Sequence, residues 1–402
     1  MDRSVAELER VYRAEATRIR AALAAKIGDV GLAEECVHDA FAEALEHWPS
    51  GGVPPNPGGW LATTSRRKAI DHLRRRRAGA EKIRLFATDE HMPPDEDDDL
   101  LSLVFACCHP ALPRDSQIAL TLRAVCGLTT AEIAAAHLTS EATMAQRLTR
   151  ARKTLGAQVG VVTVPDPDEL GDRLGEVLTV TYLMFNEGYL ASAARTPQRR
   201  DLAAQAVTLA RTLHRLMPTE PEVMGLLALL LFHESRAATR FDGWGRLVRL
   251  EDQDRSKWDG TLIDEATTLL ERALAIHRPD RYQIEAAIAA LHAEASDYAG
   301  TDWRQIRVLY DQLAAIAPSP VVRLNRAVAT RFVHGPNEAL AEVDELGDTL
   351  DRYRLFHAVR GELLDALNRP DEARRANERA LELATNPAER EVLARRLGGS
   401  VS

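Results

Sequence analysis

A predicted helix from Glu141 to about Leu155 has a polar face whose side chains are suited to binding nucleic acid. Apolar residues spaced four, three and four apart should pack inward, and they are Met144, Leu148, Ala151 and Leu155. The opposite face offers hydroxyl, amide and cationic groups, which are Thr143, Gln146, Arg147, Arg150, Arg152 and Lys153. Amide and guanidinium groups hydrogen-bond to base edges in a major groove, and cations bind phosphates.

The residues before this helix predict a helix-turn-helix. Thr129 and Glu132 have the spacing of a capping box, which predicts a short helix over 130–137. A three-residue turn then ends at Ser140, which can cap the second helix. Base-edge contacts are expected from Gln146, Arg147 and Arg150, and phosphate contacts from Arg152 and Lys153. The alternative is an ordinary helical hairpin with a cationic face turned to solvent.

A second cationic segment follows Trp60. Its basic residues are Arg66, Arg67, Lys68, Arg74, Arg75, Arg76 and Arg77. An acidic run from Asp89 to Asp99 comes shortly after it. A basic stripe beside an acidic run indicates a polyanion site next to a segment that avoids or mimics polyanions. The alternative is two solvated surface stretches.

Composition excludes several classes of protein. The 402 residues carry a net charge of -9 and are 45% hydrophobic, which is enough apolar material for folded cores in more than one domain. There is no apolar run of the ~20 residues that span a bilayer, and no signal sequence is recognised. The four cysteines form no CxxC pair, which argues against a disulfide scaffold. We therefore expect a cytoplasmic protein without membrane contact.

No motif indicates catalysis, so the chain is predicted to be no enzyme, with no catalytic residues and no cofactor. Cys107, Cys108 and His109 raise the question of a metal site. Adjacent cysteines are poorly placed to bind one zinc ion tetrahedrally. Buried core thiols are the simpler interpretation, and no metal is predicted.

Apolar residues recur at helical steps along the chain and strand signals are nearly absent, which predicts an all-α protein. Breaks rich in proline and glycine, together with the acidic run, divide it into four segments. Their expected boundaries are 1–88, an acidic linker over 89–112, a compact unit over 113–158 and a helical domain over 165–402. Two long helices are expected in the first segment, over 32–48 and 59–77, separated by a loop from Pro49 to Gly59.

Small residues in the last hundred positions recur at the 34-residue step of tetratricopeptide repeats. The pairs are Ala327 with Gly361 and Ala339 with Ala373. Positions of this kind let paired helices approach closely, so the segment predicts stacked helix pairs. An insert over 240–259 interrupts the pattern. Its Trp244, Asp254, Arg255 and Trp258 could line a ligand pocket, or its tryptophans could dock the insert onto the helices.

Two blocks of the sequence resemble bacterial sigma factors of the extracytoplasmic-function group. Residues 33–41 (AEECVHDAF), Gly59-Trp60-Leu61 and 66–76 (RRKAIDHLRRR) resemble region 2, and the helix-turn-helix resembles region 4. The long helical tail is similar to that of the subgroup with a tetratricopeptide-type extension. The resemblance implies two small helical sigma domains, over 1–88 and 113–158, followed by an α-solenoid over 165–402.

The resemblance also implies partners and roles. Core RNA polymerase would bind Glu34, Glu35 and Asp39. The −35 element would be read by the six polar residues of the second helix, and the −10 element by Trp60 with the seven basic residues after it. The chain departs from the family in the loop before Trp60, at Arg67, where Asn is common, and at Ala145, where Lys is common. The −10 base preference therefore cannot be transferred, and Trp60 is either a stacking platform or a core residue.

The function implied is a sigma factor that directs transcription initiation, with its C-terminal domain contacting and regulating the sigma domains within one chain. One alternative is a helix-turn-helix regulator with a repeat sensor domain, acting without core polymerase. Another is a scaffold in which the solenoid alone matters. The block similar to region 2 separates these hypotheses, because neither alternative needs it.

Overall fold

A computed structural model describes residues 3–75, 96–137, 139–158, 162, 164, 167–189 and 199–398. The prediction of an all-α protein is confirmed for these residues, in which one isolated β-bridge, between Phe241 and Leu247, is the exception to helix, turn and loop. Among the described helices, none is long and apolar enough to cross a membrane.

The chain forms two compact units. The first comprises 1–188 and 200–212, and the second 189–199 and 213–402. The helices of the first unit are α1 (Arg3–Ile27), α2 (Val30–Gly51), α3 (Pro57–Arg75), α4 (Glu96–Cys107), α5 (Arg114–Ala124), α6 (Thr130–Ala136), α7 (Glu141–Gln158), α8 (Pro167–Tyr189) and most of α9 (Arg200–Leu216). The structure thus groups α8 and most of α9 with the N-terminal part, whereas the sequence predicted a domain starting at residue 165.

Side-chain caps mark where α2 and α3 begin. The Asp29 side chain accepts a hydrogen bond from Leu32 N at 2.9 Å, and Asn56 Oδ1 accepts one from Gly59 N at 2.9 Å. Each cap satisfies an amide that has no partner within its helix. The predicted loop from Pro49 to Gly59 is shorter than expected, because α2 continues through Pro49 to Gly51 and α3 already begins at Pro57.

Helix α1 packs against α2, α3 and α4. Its apolar residues at helical spacing, Val11, Ile19, Leu23 and Ile27, are buried. Within the acidic linker expected over 89–112, residues 96–107 form α4. The apolar residues after its acidic start are fully buried, and they are Leu101, Leu103, Val104 and Phe105. A helix that buries so much apolar surface is part of the core.

The cysteines lie inside the first unit. Cys36, Cys107, Cys108 and Cys126 are all buried as free thiols. Burial raises the pKa of Cys107 to about 12, so its thiol stays protonated. No group of three or more potential ligands that could hold a metal ion occurs in the described part of the chain. These thiols pack as small apolar side chains.

The remaining helices belong to the second unit. They are α10 (Pro221–Ser235), α11 (Gly260–Leu274), α12 (Arg281–Glu294), α13 (Trp303–Ile316), α14 (Pro320–Val333), α15 (Pro336–Asp344), α16 (Gly347–Leu350), α17 (Arg354–Ala366), α18 (Pro370–Leu383) and α19 (Pro387–Arg396). Helix α10 is buried nearly all round and packs on α11 and α12.

Small residues mark the closest helix contacts of this unit. Ala327, Ala339 and Ala373, three of the four positions at the 34-residue step, are buried with 1% exposure or less. At the fourth, Gly361, a Cβ atom would lie 2.8 Å from Asn377 Oδ1. The small residues therefore stand where the helices touch, as the pattern predicted.

The insert over 240–259 contains two short 3₁₀ helices, Leu250–Asp252 and Arg255–Lys257. Trp258 is buried and donates from Nε1 to Thr239 Oγ1 at 3.0 Å, whereas Trp244 is 82% exposed. The four residues considered for a pocket are therefore not gathered in one place. Trp258 docks the insert, as one interpretation expected, and Trp244 does not.

The contact between α10 and α12 yields a stability prediction. A Cβ atom on Gly225 would lie 2.7 Å from the backbone N of Gln283, so Gly225→Ala must displace α12. We expect a loss of about 1–3 kcal/mol from this overpacking, measured by calorimetry on the full chain. Gly175→Ala is the matched control, since nothing lies within 4 Å of its Cβ position in α8. There the free energy of unfolding should rise by about 0.5–1 kcal/mol. Equal effects at the two sites would contradict the close helix contact.

Candidate nucleic-acid interface

The helix-turn-helix forms as the sequence predicts. Thr129 N donates to Glu132 Oε2 at 2.7 Å, and Glu132 N donates to Thr129 Oγ1 at 3.2 Å, which is a reciprocal capping box. Thr143 N donates to Ser140 Oγ at 3.2 Å, so Ser140 caps α7. Both predicted caps are confirmed, and they fix where α6 and α7 begin.

The two faces of α7 are divided as expected. Its apolar residues Met144, Leu148, Ala151 and Leu155 are buried. Of the six polar residues expected on the opposite face, Thr143, Gln146, Arg150 and Lys153 are exposed. Arg150 Nη2 donates to Gln146 Oε1 at 3.3 Å, which orients two groups that could meet base edges. Arg147 is half-buried, with its Nη1 lying 3.6 Å from Asp115 Oδ2.

Arg152 lies apart from this exposed face. Its Nη2 donates to Glu34 Oε2 at 2.6 Å, and Arg123 Nε donates to Glu34 Oε1 at 2.6 Å. The two bonds join α2 to α7 and to α5, between residues far apart in the chain. Glu34 is only 4% exposed, so both pairs are largely shielded from water. We refer to Glu34, Arg123, Arg152 and the neighbouring Arg20 as the Glu34 cluster.

Charge balance keeps Glu34 ionised. Burial alone would raise the pKa of its carboxyl, but the positive charges of Arg152, Arg123 and Arg20 outweigh burial and lower that pKa below its usual value. Arg20 is only 1% exposed, and burial lowers the pKa of its guanidinium. A buried carboxylate with two direct guanidinium partners is stable in its charged form.

Packing reinforces the same junction. Thr17 Oγ1 donates to Val125 O at 2.8 Å, across the buried contact between α1 and the end of α5. Arg123 Nη1 also donates to Leu128 O at 2.9 Å, in the loop that leads to the helix-turn-helix. The N-terminal helices and the helix-turn-helix thus share one polar, buried junction.

The three acidic residues expected to bind polymerase differ in their exposure to solvent. Glu35 and Asp39 are exposed, as expected. The placement of Glu34 on the same surface is wrong, because α2 turns it inward toward the arginines of α5 and α7. The structure likewise corrects the expectation that Arg152 faces outward with Lys153.

The basic residues of α3 lie on its outer side. Glu43 of α2 binds two of them, with its Oε1 lying 2.6 Å from Arg67 Nη2 and its Oε2 2.8 Å from Lys68 Nζ. Arg74 and Arg75 are exposed near the end of the helix, and Arg66 is half-buried. The predicted sites Arg76 and Arg77 lie outside the described residues.

Trp60 is half-buried rather than fully enclosed. Its ring meets that of the buried Trp48 edge to face, with centroids 5.6 Å apart. The indole therefore packs against α2 on one side and keeps part of its surface accessible. Both interpretations of Trp60 are compatible with this position.

Sequence reasoning missed Arg20, Arg123 and Glu43 as partners of the site. Arg20 and Arg123 stand among apolar residues that become core, and a charge at such a position is the signal that could have marked them. Their common partner could not have been deduced, because Glu34 is 89 residues before Arg123.

Three families match the chain in order. Sigma-70 region 2 matches residues 11–79, Sigma-70 region 4 matches 102–155, and a family of unknown function, DUF6596, matches 173–274. The chain is also 44% identical over 382 residues to "Uncharacterized protein R00370" of Rhizobium meliloti (strain 1021), which covers 90% of this chain and 88% of that protein. The chain therefore belongs to the same family as that Rhizobium protein, and its regions 2 and 4 make it a sigma factor of the sigma-70 type with a role in promoter recognition.

Proposed function

We propose that the protein is an extracytoplasmic-function sigma factor that binds core RNA polymerase in the cytoplasm and directs transcription initiation from −10 and −35 elements. The observation that carries the proposal is the order of regions 2 and 4 in one chain, with an exposed polar face on the second helix of the helix-turn-helix. It acts by binding and positioning, without catalysis or a cofactor.

The −35 contacts are assigned to α7. Gln146 and Arg150 present an amide and a guanidinium to base edges, and Thr143 and Lys153 lie on the same exposed face. Arg147 would reach DNA by leaving Asp115, since their ion pair is partly exposed and therefore weak. Arg152 is available to a phosphate only when its bond to Glu34 opens.

The −10 and polymerase contacts are assigned to region 2. Arg74 and Arg75 are exposed cations for phosphates. Arg66, Arg76 and Arg77 are assigned to the same role from the sequence. Arg67 and Lys68 share Glu43, so a phosphate would compete with one carboxylate for both. Trp60 is the group with a partly accessible aromatic face for an unstacked base. The exposed carboxylates Glu35 and Asp39 are assigned to the polymerase.

In the free protein, we propose that the Glu34 cluster holds regions 2 and 4 together. A carboxylate expected on the polymerase-binding surface and a cation expected on the DNA-binding surface neutralise each other there. Polymerase and promoter would bind an arrangement in which the two regions separate and both groups become accessible.

We propose that the C-terminal extension is tetratricopeptide-like. We further propose that it regulates the sigma regions from within the same chain. Paired helices with small residues at their contacts support the repeat assignment. The grouping of α8 and most of α9 with the first unit supports regulation in cis, because part of the extension is then built into the sigma unit. A fused domain also acts at high effective concentration.

Co-purification with core polymerase and run-off transcription test the main proposal. The full chain should bind core and support initiation at its promoters. Gln146→Ala and Arg150→Ala should each cost about 1–3 kcal/mol of promoter-binding free energy and so reduce −35-dependent transcription, while core binding stays unchanged. Thr179→Ala, on α8, serves as a control outside the interface. A chain that binds duplex DNA but never core polymerase would instead be a regulator of the helix-turn-helix class.

A double-mutant cycle tests the Glu34 cluster. Glu34→Gln and Arg152→Gln should show a coupling energy of about 0.5–3 kcal/mol in urea unfolding of the full chain. The exposed neighbours Glu35→Gln and Lys153→Gln form the matched cycle, with coupling near zero. Because the folded pKa of Glu34 is lowered, the coupling should be present near neutral pH and disappear in acid as the pH falls through that pKa. Zero coupling for the first pair would rule out this bond as the link between the regions.

A chain ending at Leu216 tests regulation in cis. This cut keeps the whole first unit, including α9, and removes the remaining helices of the second. Run-off transcription should differ from that of the full chain at equal core occupancy, with circular dichroism used to confirm that the shortened chain is folded. Identical transcription by the two folded chains would contradict regulation by the second unit.

A further inference from the structure

The second unit contains a concentration of positive charge that the assigned function does not use. Arg236 follows α10, Arg240 follows the short 3₁₀ turn Ala237–Thr239, and Arg255 lies in the insert. Two histidines complete the group, His233 at the end of α10 and His292 near the end of α12. We call these five residues the arginine–histidine cluster.

Tyr189 forms an aromatic wall of the cluster. The Arg240 Cζ atom lies 3.8 Å from the centroid of the Tyr189 ring and that of Arg236 lies 5.8 Å from it. The His233 ring centroid is 5.7 Å from the same centroid. Two guanidinium groups and one imidazole therefore face a single ring.

Arg255 joins the cluster from the insert. Its Nη1 donates to Ala295 O at 2.9 Å and also to His292 O, at the C-terminal end of α12. Its Cζ lies 5.0 Å from the centroid of the buried Trp258. Both of these hydrogen bonds come from Nη1, so they hold the guanidinium in place without using Nη2.

Both histidines are neutral near pH 7. Burial, together with the charges of Arg236 and Arg255, lowers the pKa of His292 to about 4. Burial and the charges of Arg236 and Arg240 place the pKa of His233 well below its usual value. Arg236 Nη2 lies 3.1 Å from His233 Nδ1, and since a guanidinium can only donate, that nitrogen accepts. The charge of the cluster therefore comes from its three arginines.

No carboxylate of the described residues forms an ion pair with any of the three arginines. Asp297 and Glu389 attract Arg255 and Arg240 only from a longer range, and Glu389 is bound to Arg354, whose Nε lies 2.7 Å from Glu389 Oε2. Nearby arginines outside the cluster do have acidic partners, for example Arg246 with Asp242 at 2.7 Å. The cluster differs from its surroundings in this respect.

Several nitrogen atoms of the cluster are buried without a hydrogen-bond partner. They are Arg240 Nε, Arg255 Nη2 and His292 Nδ1. A buried donor that belongs to a charged group and has no acceptor destabilises the fold more than a neutral one does. Such a group in a folded protein calls for an ion or water. All five residues are half-buried, so each keeps part of its surface exposed to solvent.

We propose that the arginine–histidine cluster is a binding site for a small multivalent oxyanion, carrying phosphate or carboxylate groups. Oxygen atoms of one such anion accept hydrogen bonds from Arg240 and Arg255, and its charge offsets that of the three guanidinium groups. Guanidinium groups match the geometry of phosphate and carboxylate oxygens, and the neutral imidazole of His292 adds a further polar contact.

Calorimetric titration of the full-length protein tests the site. Inorganic pyrophosphate and citrate are the probes, each at constant ionic strength set with sodium chloride, so that phosphate and carboxylate chemistry are distinguished. One of them should bind with a one-to-one stoichiometry. Arg240→Gln should weaken that binding about tenfold or more, since it removes a charged donor. Arg249→Gln, an exposed arginine of the same insert already paired with Asp252, is the matched control and should bind as the unaltered protein does.

Arg236→Gln provides a second variant if Arg240→Gln does not fold. It keeps the Tyr189 wall and the contacts of Arg255, and it too should weaken binding about tenfold or more.

Thermal unfolding gives an independent measurement, because the bound anion should raise the Tm of the unaltered protein and not that of a folded cluster variant. Absence of binding by both anions, or equal binding by the cluster and control variants, would overturn the proposal. The measurement uses no polymerase or DNA, so its outcome is separate from that of the promoter-recognition experiments.

Discussion

The buried carboxylate of Glu34 is the constraint on which the first unit depends. It receives one guanidinium from α5 and one from α7, so a single side chain on α2 links the helix-turn-helix to the N-terminal helices. Removing ions from water is costly, and a buried pair is retained only with good geometry and further hydrogen bonds. The bonds of Arg123 to Leu128 O and of Thr17 to Val125 O supply that support.

The two units solve the same problem of helix packing in different ways. In the first, polar groups cross the interfaces between helices, within a core of buried aliphatic, aromatic and small side chains. In the second, small residues allow close approach: the backbone of Gln283 lies against Gly225, and the side chain of Asn377 lies against Gly361. Carboxylates there also terminate helices: Glu222 accepts from Tyr282 N at 3.1 Å at the start of α12.

Local chemistry was predictable from the sequence wherever it depends on neighbouring residues. The capping box of Thr129 and Glu132, the cap at Ser140 and the buried face of α7 all follow from spacings of three or four residues. The acidic run from Asp89 to Asp99 favours a linker, because runs of like charge are typical of linkers, but its last residues, Glu96 to Asp99, begin α4 and the apolar residues after them form core. Pro49 likewise predicts the end of a helix, but the last turn of α2 accommodates it.

Contacts between distant segments were not predictable in this way. Helical spacing places Glu34 on the same stripe as the buried Val37 and Phe41, whereas Glu35 faces water one position later. Periodicity gives the face of a helix, but the partner on that face is fixed only when the tertiary structure forms. The arginine–histidine cluster is a further case, because its members come from a helix end, a 3₁₀ turn, an insert and a second helix.

The Glu34 cluster also limits how this sequence can change during evolution. Loss of the acid leaves buried arginines without a counter-ion, and loss of one arginine leaves the carboxylate short of a donor, so either single step is unfavourable. Replacement by apolar residues of similar volume is tolerated only when the members change together. The residues at positions 20, 34, 123 and 152 should consequently co-vary among relatives, even though they lie on four different helices.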